Sequence, residues 1–331
     1  MNQPIPAMPT LDAIRAARRR TMPHVRRTPL VRADQLSDAA GGDVFLKLES
    51  LQVTNSFKAR GALNAVLALR ERHRPSDPLP RLVTASAGNH GRALAWAAKL
   101  AGLQVVVFTP REAPTTKLDA IRRHGADLRA EAGTYEESER MAKQFAAATG
   151  ARFISAYSHP DLIAGIGVIA LEIVEDLPRV DQIVVPVGGG GLVAGIAAAA
   201  SLVRPDVEVV GVEVEASHPF AASLSAGRIV EVEVGRTIAD GLAGNMDPDN
   251  LAFPLVQALV RGMTTVGERE LREAIRELVR CEHLVAEGAG AAGVAAVAAG
   301  RVASRGRTTA VVVSGANIDI DKLAGIIGSE D

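Results

Sequence analysis

The sequence predicts an α/β protein with open, mostly parallel and twisted sheets that are covered by helices on both faces. Short apolar runs are followed along the chain by longer runs rich in alanine and leucine. Apolar strands that alternate with helices are typical of parallel sheets buried on both sides. The chain of 331 residues is 47% hydrophobic and 23% charged, so it can bury a large core, and its length favours about two domains.

The first predicted element is a helix over residues 11–20, with Thr10 as its N-cap. The predicted strands are continuous apolar runs and cover residues 44–48, 82–85, 104–109, 183–187, 208–214 and 309–313. Further predicted helices cover residues 60–72, 90–101, 191–203 and 287–299. No segment repeats at a fixed period, so a repeat architecture is not indicated.

The composition argues against several classes of function. With a net charge of −1, the chain gives no support to a nucleic-acid partner. A single cysteine excludes a disulfide framework and fits a reducing compartment, so we expect a cytoplasmic protein. Residues 183–203 carry no charge and are long enough to span a membrane. Pro186 and four consecutive glycines would break such a helix, which favours a buried strand, a glycine turn and a buried helix instead.

Three turns of small residues follow predicted strands, where open α/β sheets bind their ligands. The first turn comprises Ser86, Ala87, Gly88, Asn89, His90 and Gly91. The second turn comprises Gly188, Gly189, Gly190 and Gly191. The third turn comprises Ser314, Gly315, Ala316 and Asn317. The candidate ligand-binding residues therefore cluster at the carboxyl ends of predicted strands.

The four-glycine turn is the most informative of the three. Glycines let the backbone approach a ligand and present successive N–H donors, and the following helix adds the partial positive charge of its N-terminus. A phosphate group is the natural ligand of such a turn. The turn matches neither the dinucleotide fingerprint nor the P-loop, which weakens a nicotinamide or nucleotide interpretation. A tight turn required only for packing is the alternative.

Lys58 lies in an apolar context, with Phe57 before it and Ala59, Ala62 and Leu63 after it. A lysine at such a position is usually a solvent-exposed helix residue. A desolvated lysine, however, has a lowered pKa and can form a Schiff base with a carbonyl group. The residues alone leave both interpretations open.

Three other ionisable residues are weaker candidates. Glu287 interrupts an uncharged run, where its carboxylate either stabilises a helix N-terminus or faces a ligand. Glu213 lies in a predicted strand and is either a cation ligand or an ordinary charge near the end of that strand. His90 is either a general base or a residue that hydrogen-bonds its own loop.

Six short motifs are spread over most of the chain. They cover residues 47–52, 56–62, 86–90, 188–191, 239–241 and 314–317. In this order they make the chain resemble the pyridoxal-phosphate (PLP) enzymes of fold type II, the tryptophan-synthase β-like family, and most closely its threonine/serine dehydratases and serine racemases. The resemblance implies two open, mostly parallel twisted sheets flanked by helices. It also implies a large PLP-binding domain, residues 1–52 and 158–331, with a small α/β domain, residues 53–157, inserted into it.

For the matching positions the resemblance implies roles toward the cofactor and the substrate. Lys58 would hold PLP as a Schiff base and transfer the substrate's proton, and Phe57 would flank the ring. Asn89 would hydrogen-bond the ring's 3-hydroxyl, Ser314 would face the ring nitrogen, and Glu287 is a further candidate contact. The phosphate would lie on Gly188, Gly189, Gly190 and Gly191. The substrate carboxylate would lie on Ser86, Ala87, Gly88, Asn89 and His90.

The implied reaction is β-elimination from a β-hydroxy amino acid, with L-threonine or L-serine as the expected substrate and a 2-oxo acid and ammonia as products. A neutral Ser314 does not stabilise a protonated pyridine as a carboxylate does, which favours elimination over transamination. Ala87 stands where the racemases usually carry a second serine. Because alanine has no proton to give, we favour a dehydratase over a racemase.

The chain also departs from the family's usual pattern. Glu213 matches the first ligand of the family's cation site, but Ser217 and Pro219 stand at the later positions, so a metal site is not expected. Ile166 replaces a common glutamine, and Asn55 stands where glycine is common. These two changes are compatible with an unusual substrate.

Several alternatives remain open. Within the family they are a specialised dehydratase, either of the type associated with hydroxyectoine utilisation or one that acts on 3-hydroxyaspartate, and a serine racemase. Outside the family they are a nicotinamide-dependent oxidoreductase and a non-catalytic ligand-binding module. The resemblance further implies a homodimer or homotetramer.

Overall fold

The computed structural model describes residues 8–328, whose strands form two separate sheets. In chain order the strands are β1 (Leu30–Arg32), β2 (Asp43–Lys47), β3 (Leu82–Ala85), β4 (Val105–Pro110), β5 (Asp127–Ala132), β6 (Arg152–Phe153), β7 (Gln182–Pro186), β8 (Glu208–Val214), β9 (Gly262–Val266) and β10 (Thr308–Val312). The α-helices are α1 (Leu11–Thr21), α2 (Asp34–Ala40), α3 (Lys58–Glu71), α4 (Asn89–Ala101), α5 (Thr115–Arg122), α6 (Tyr135–Thr149), α7 (Pro160–Asp176), α8 (Gly191–Val203), α9 (Pro219–Ala226), α10 (Ala252–Leu259), α11 (Glu268–Arg280), α12 (Gly288–Ala298) and α13 (Ile320–Gly328). A short 3₁₀ helix, Glu49–Leu51, follows β2.

The larger sheet has six strands in the order β1-β2-β10-β7-β8-β9. All neighbours pair in parallel except β1 and β2, which are antiparallel. Helices α1, α7, α8 and α10 pack in the apolar core on one face, and α2, α11, α12 and α13 pack in the core on the other. The predicted fold class is therefore confirmed.

The smaller sheet has four parallel strands in the order β5-β4-β3-β6. One face is covered by α3, α4 and α5, and the other by α6. Helix α3 also packs on α7, which belongs to the core of the larger sheet. Helix α3 consequently lies where the helices of the smaller sheet meet those of the larger sheet. The expected division into two domains stays a prediction.

The uncharged run at 183–203 forms most of β7, the glycine turn and α8, as the second interpretation predicts. Within residues 8–328, none of the helices combines the length and apolar character that a membrane span needs. The predicted first helix is also present, and the side chain of Thr10 accepts a hydrogen bond from the Ala13 N–H at 3.2 Å. Thr10 is therefore the N-cap of α1, as predicted, and its side chain satisfies one of the free N–H groups of the first turn.

Candidate active site

Backbone hydrogen bonds join the segment before α3 to the turn after β10. The Phe57 N–H donates to the Ser314 carbonyl at 3.0 Å, and the Ala316 N–H donates to the Asn55 carbonyl at 2.9 Å. The two segments are far apart in sequence and are brought together because β2 and β10 are parallel neighbours. Parallel strands end at the same edge, so their following loops meet there.

Lys58 is the first residue of α3, and its side chain is half-buried. Its Nζ donates a hydrogen bond to the Ala156 carbonyl at 2.6 Å and lies 5.0 Å from the centroid of the Phe57 ring. Burial lowers the pKa of Lys58 to about 8, against the opposing effect of the Glu287 carboxylate. The structure thus supports the desolvated interpretation, in which a useful fraction of the amine is neutral and nucleophilic near neutral pH.

Asn89 lies in a chain of side-chain hydrogen bonds. Its Nδ2 donates to Glu287 Oε1 at 2.6 Å, and its Oδ1 accepts from Asn317 Nδ2 at 2.6 Å. Asn317 Nδ2 also lies 2.9 Å from the Thr54 carbonyl, and Asn317 Oδ1 accepts from Arg92 Nη1 at 2.5 Å. These bonds fix the orientation of the Asn89 amide and commit one of its two N–H hydrogens, which leaves the second for a ligand.

Glu287 precedes α12 at the N-cap position, but its side chain makes no capping hydrogen bond. The buried carboxylate instead accepts from Asn89, and a Cβ added at Gly315 would lie only 2.2 Å from its Oε1. Of the two interpretations, the structure supports a carboxylate that faces the candidate site. Burial raises the pKa of Glu287 to about 7, although the hydrogen bond from Asn89 acts in the opposite direction.

This raised pKa predicts a pH-dependent cost to folding. Between pH 4.5 and about pH 7 the folded state keeps a proton on Glu287 that the unfolded chain has lost. Stability therefore falls with pH through this window, and Glu287→Gln removes that dependence. The quantity to compare is the difference in unfolding free energy between the cofactor-free wild type and cofactor-free Glu287→Gln (wild type minus variant). We expect this difference to be lower at pH 7.5 than at pH 4.5 by about 1–3 kcal/mol. Urea unfolding at both pH values measures it, and an unchanged difference contradicts it.

The four-glycine turn connects β7 to α8. A Cβ added at Gly189 would lie 2.3 Å from Tyr157 Cγ, one at Gly191 would lie 2.8 Å from the Tyr157 carbonyl oxygen, and Gly190 has a φ of +87°. Packing alone therefore demands glycine at these positions. The N–H groups of Gly188 to Gly191 donate to no other residue among those that the structure describes. The structure is consequently compatible with both interpretations, because the turn is tightly packed and still presents unpaired donors at a helix N-terminus.

The turn after β3 also borders open space. Ser86 Oγ accepts a hydrogen bond from the Gly88 N–H at 3.2 Å, and a Cβ added at Gly88 would meet nothing within 4 Å. Ala87, Gly88 and Asn89 are half-buried. In the described part of the chain, the N–H groups of Asn89 and His90 have no acceptor. Helix α4 begins here, so the turn suits a carboxylate.

His90 is buried beside this turn, and its Nε2 lies 3.2 Å from the Ile154 carbonyl. Burial lowers the pKa of His90 to about 3, and the charge of Lys58 acts in the same direction. A base of that pKa is too weak to take a substrate proton near neutral pH. The geometry therefore favours the structural interpretation of its side chain and leaves its backbone N–H as the candidate substrate contact.

Ser314 and Glu213 occupy different surroundings. Ser314 is buried, and its Oγ donates to the Ala289 carbonyl at 3.4 Å. Both oxygens of the buried Glu213 accept backbone N–H groups at the start of α9, from Phe220 and Ala221, at 2.8 Å each. Glu213 thus stabilises a helix N-terminus. Residues 8–328 contain no cluster of three His, Cys, Asp or Glu side chains that could hold a metal ion.

The two departures that were compatible with an unusual substrate have structural explanations. Asn55 has a φ of +56°, in the left-handed region that glycine and asparagine tolerate best. Ile166 is fully buried, and its side chain would lie within 3.1 Å of a Cβ added at either Gly61 or Gly195. It fills the space between α3 and α8. The structure gives Ile166 a packing role in the core, and a link between this residue and an unusual substrate stays a hypothesis.

The backbone conformation of Asn55 gives a second prediction. Asn55→Ala should lower the unfolding free energy by about 1 kcal/mol, because alanine gains no local hydrogen bonding in the left-handed region, whereas Asn55→Gly should change it by less than about 0.5 kcal/mol. Urea unfolding of the three proteins measures both values. Equal stability of the alanine and glycine variants would show that the conformation is not maintained in solution.

Sequence reasoning missed several residues around the site. The side chain of Tyr157 covers the glycine turn, and its hydroxyl donates to Asp247 at 2.8 Å. Lys117, on α5, forms an ion pair with Asp240, which the motif at 239–241 contains without an assigned role. In the sequence, Asn317 is visible only as part of the turn after β10. None of these contacts has a local sequence signal, because each joins segments far apart in the chain.

Comparison with known proteins identifies the family. A family model described as pyridoxal-phosphate dependent enzyme matches residues 21–315. The chain belongs to the pyridoxal-phosphate dependent enzyme family. It is 42% identical to an L-threonine ammonia-lyase of Thermotoga maritima, over 97% of this chain and 78% of that protein. It is 34% identical to a catabolic L-threonine dehydratase of Escherichia coli K12, over 97% of each. A structure of maize serine racemase aligns with a TM-score of 0.90 at 31% identity and covers 96% of each chain.

The geometry of this PLP-dependent enzyme fits its cofactor. Lys58 offers a desolvated amine to the aldehyde, and the Gly188–Gly191 turn offers unpaired N–H donors to the phosphate. Family membership also replaces the nicotinamide interpretation.

Proposed function

We propose that this enzyme is an ammonia-lyase that deaminates L-threonine or L-serine to a 2-oxo acid and ammonia. The names of the Thermotoga maritima and Escherichia coli relatives support the reaction class. The observation in the site that carries the proposal is the desolvated amine of Lys58 combined with an alanine at position 87. One proton-transfer group suffices for elimination, whereas racemisation needs a donor on each face of the α-carbon.

PLP, when bound, supplies an electron-withdrawing ring that stabilises negative charge at the substrate's α-carbon. The N–H groups of Asn89 and His90, at the start of α4, would hold the substrate carboxylate. Lys58 Nζ would take the α-proton, since its lowered pKa makes the neutral amine accessible. Loss of the β-hydroxyl as water, followed by hydrolysis of the resulting enamine, gives the 2-oxo acid and ammonia.

Ammonia release from a panel of substrates tests this proposal. We expect turnover of L-threonine and L-serine by the PLP-loaded enzyme. Turnover of 3-hydroxyaspartate or hydroxyectoine without turnover of threonine and serine would support one of the specialised dehydratases instead. A purified protein that shows no visible cofactor absorbance, and to which borohydride fixes no PLP at Lys58, would refute the role of Lys58. The expected homodimer or homotetramer stays a prediction that sedimentation can check.

Serine racemase is the second candidate, because the maize enzyme shares the fold over 96% of the chain. Position 87 provides a direct test. In Ala87→Ser a hydroxyl becomes available in the turn after β3, and we expect the ratio of D-serine formed to ammonia released to rise by at least about 10-fold, the effect of adding one general acid. Chiral chromatography measures the ratio. Substantial D-serine formation by the wild type would instead favour the racemase.

A further inference from the structure

Four charged side chains form a buried cluster beneath the start of α3. They are Lys47, Glu49, Arg60 and Glu172. Arg60, only 1% exposed, donates to both oxygens of Glu49 at 2.8 and 2.9 Å and to both oxygens of Glu172 at 2.8 Å. Lys47 Nζ donates to Glu172 at 2.6 Å and to the Thr28 carbonyl at 2.8 Å. The cluster, named here the Arg60 cluster, contains two positive and two negative charges and therefore has no net charge.

The Arg60 cluster joins three parts of the chain. Lys47 ends β2 and Glu49 begins the following 3₁₀ helix, Arg60 lies in the first turn of α3, and Glu172 lies on α7. Strand β2 pairs with β10, which leads into the Ser314 turn. The cluster thus ties the start of α3 to the larger sheet, whose β10 leads into the candidate site, and to helix α7.

Backbone hydrogen bonds to the turn after β10 hold the segment before α3, but no capping side chain holds the start of the helix itself. Phe57 occupies the N-cap position and makes no side-chain capping bond, and the first turn contains no acidic residue. The closest backbone link within this turn is the hydrogen bond from the Arg60 N–H to the Phe57 carbonyl at 3.0 Å. Helix N-termini are usually held by a capping side chain. Here the bidentate guanidinium of Arg60, two residues after Lys58, supplies that restraint.

Stability alone is a poor explanation for such a cluster. Apolar residues of similar volume often stabilise a protein as well as a buried ion cluster does, because the desolvation of the charges offsets much of their attraction. A fork of charge-assisted hydrogen bonds is, however, strongly directional. Such a fork suits the task of fixing the orientation of the turn that carries Lys58 better than it suits stabilisation.

We propose that the Arg60 cluster is a positioning device, which orients the first turn of α3 so that the Lys58 amine points at the atom with which it reacts. The inference rests on the proposed role of Lys58. Arg60 itself does not touch the reacting groups and acts through Lys58. Since the cluster is neutral, it can do so without adding a net charge beside the amine.

Arg60→Lys tests this directly, because lysine keeps the charge but loses the fork. We expect the cofactor-free variant to fold. The rate at which it links PLP covalently and its kcat with threonine should each fall at least about 10-fold, because a small misplacement of a reacting group is costly. Its KM should change less than about twofold. Visible absorbance measures the rate of linkage. Arg72→Lys is the matched control, since Arg72 pairs with Asp161 of α7 at the far, exposed end of the same helix pair.

The Lys58→Ala background separates positioning from a general structural role. In that background a small amine added to the solution replaces the missing side chain, and the Lys58 side chain that the cluster would orient is absent. Arg60→Lys should then change amine-supported turnover less than about twofold, which is the non-additivity expected of residues that act through each other. If Arg60→Lys lowered amine-supported turnover in the Lys58→Ala background as much as it lowers kcat in the original background, the proposal would be overturned. The proposal would also be overturned if Arg60→Lys and Arg72→Lys had equal linkage rates and equal kcat in the original background.

A second variant keeps the proposal testable if Arg60→Lys does not fold. The double variant Lys47→Met with Glu172→Gln removes both ion pairs to α7 and the bidentate acceptor there, but retains the Arg60–Glu49 pair and the neutral charge. We expect slower covalent linkage of PLP in the folded protein, by at least about threefold. Linkage at the wild-type rate would overturn the positioning role. A wild type that forms no linkage with PLP at all would refute the role of Lys58 itself, so the two failures are distinguishable.

Discussion

Replacing Lys58 with methionine will reduce deamination of threonine by at least about 10³-fold, because the side chain that binds the cofactor and moves the proton is lost. Steady-state assays of oxo-acid release measure this effect. Lys99→Met, at an exposed position of α4, is the control and should change turnover less than about twofold. Substantial residual turnover by the methionine variant would require another proton-transfer group.

The same substitution should stabilise the cofactor-free protein. Burial lowers the pKa of Lys58 from 10.5 to about 8, so below pH 8 the folded state bears the full cost of a desolvated charge. Methionine fills a similar volume without that charge, and we expect a gain of about 1–2 kcal/mol in unfolding free energy at pH 7. The gain should vanish as the pH rises from 8 to 10.5, where the lysine loses its proton in both states. Urea unfolding across this range measures it, and a gain independent of pH would contradict the charge argument.

Replacing Gly190 with alanine will damage both folding and cofactor binding. The added Cβ would lie 2.3 Å from Phe220 Cζ and 2.9 Å from the Cβ of Ala252, in a backbone with a φ of +87°. Overpacking and left-handed strain together should cost about 2–4 kcal/mol of unfolding free energy. Because the displaced turn can no longer present its N–H groups together, we expect PLP affinity to fall at least about 100-fold.

A matched glycine provides the control for this substitution. A Cβ added at Gly262, in strand β9, would meet nothing within 4 Å, and Gly262→Ala should change stability by less than about 0.5 kcal/mol. Urea unfolding and titration with PLP measure the two effects on each variant. Wild-type affinity for PLP in the folded Gly190→Ala protein would show that the turn is required for packing alone.

The sequence predicts the central strands of each sheet and misses the edge strands. The six predicted strands correspond to β2, β3, β4, β7, β8 and β10, all of which have a neighbour on both sides. The four missed strands, β1, β5, β6 and β9, are the edges of the two sheets. An edge strand pairs on one side only and is partly exposed, so it does not need a continuous apolar run. Strand β5, Asp127–Ala132, for example, contains three charged residues.

The candidate site shows the same division between local and distant information. The glycine turn and Lys58 are visible in the sequence because their chemistry depends on neighbouring residues. The hydrogen bond between Asn89 and Glu287, by contrast, joins residues 198 positions apart, and the Arg60 cluster joins three separate segments. Nothing in the local pattern specifies these partners. Likewise, the left-handed conformation of Asn55 explains a departure from the family that the sequence could only note.

The position of β10 within the larger sheet has a consequence for how the chain is made. This strand lies between β2 and β7, and Val312 pairs with Lys47, 265 positions earlier (312 − 47). At a synthesis rate of roughly 5–20 residues per second, β2 waits on the order of 10–50 s for its central partner. Until then the growing chain presents the unpaired sides of two apolar strands. Ribosome-bound chains that end before β10 should therefore depend on chaperones and be unable to bind the cofactor.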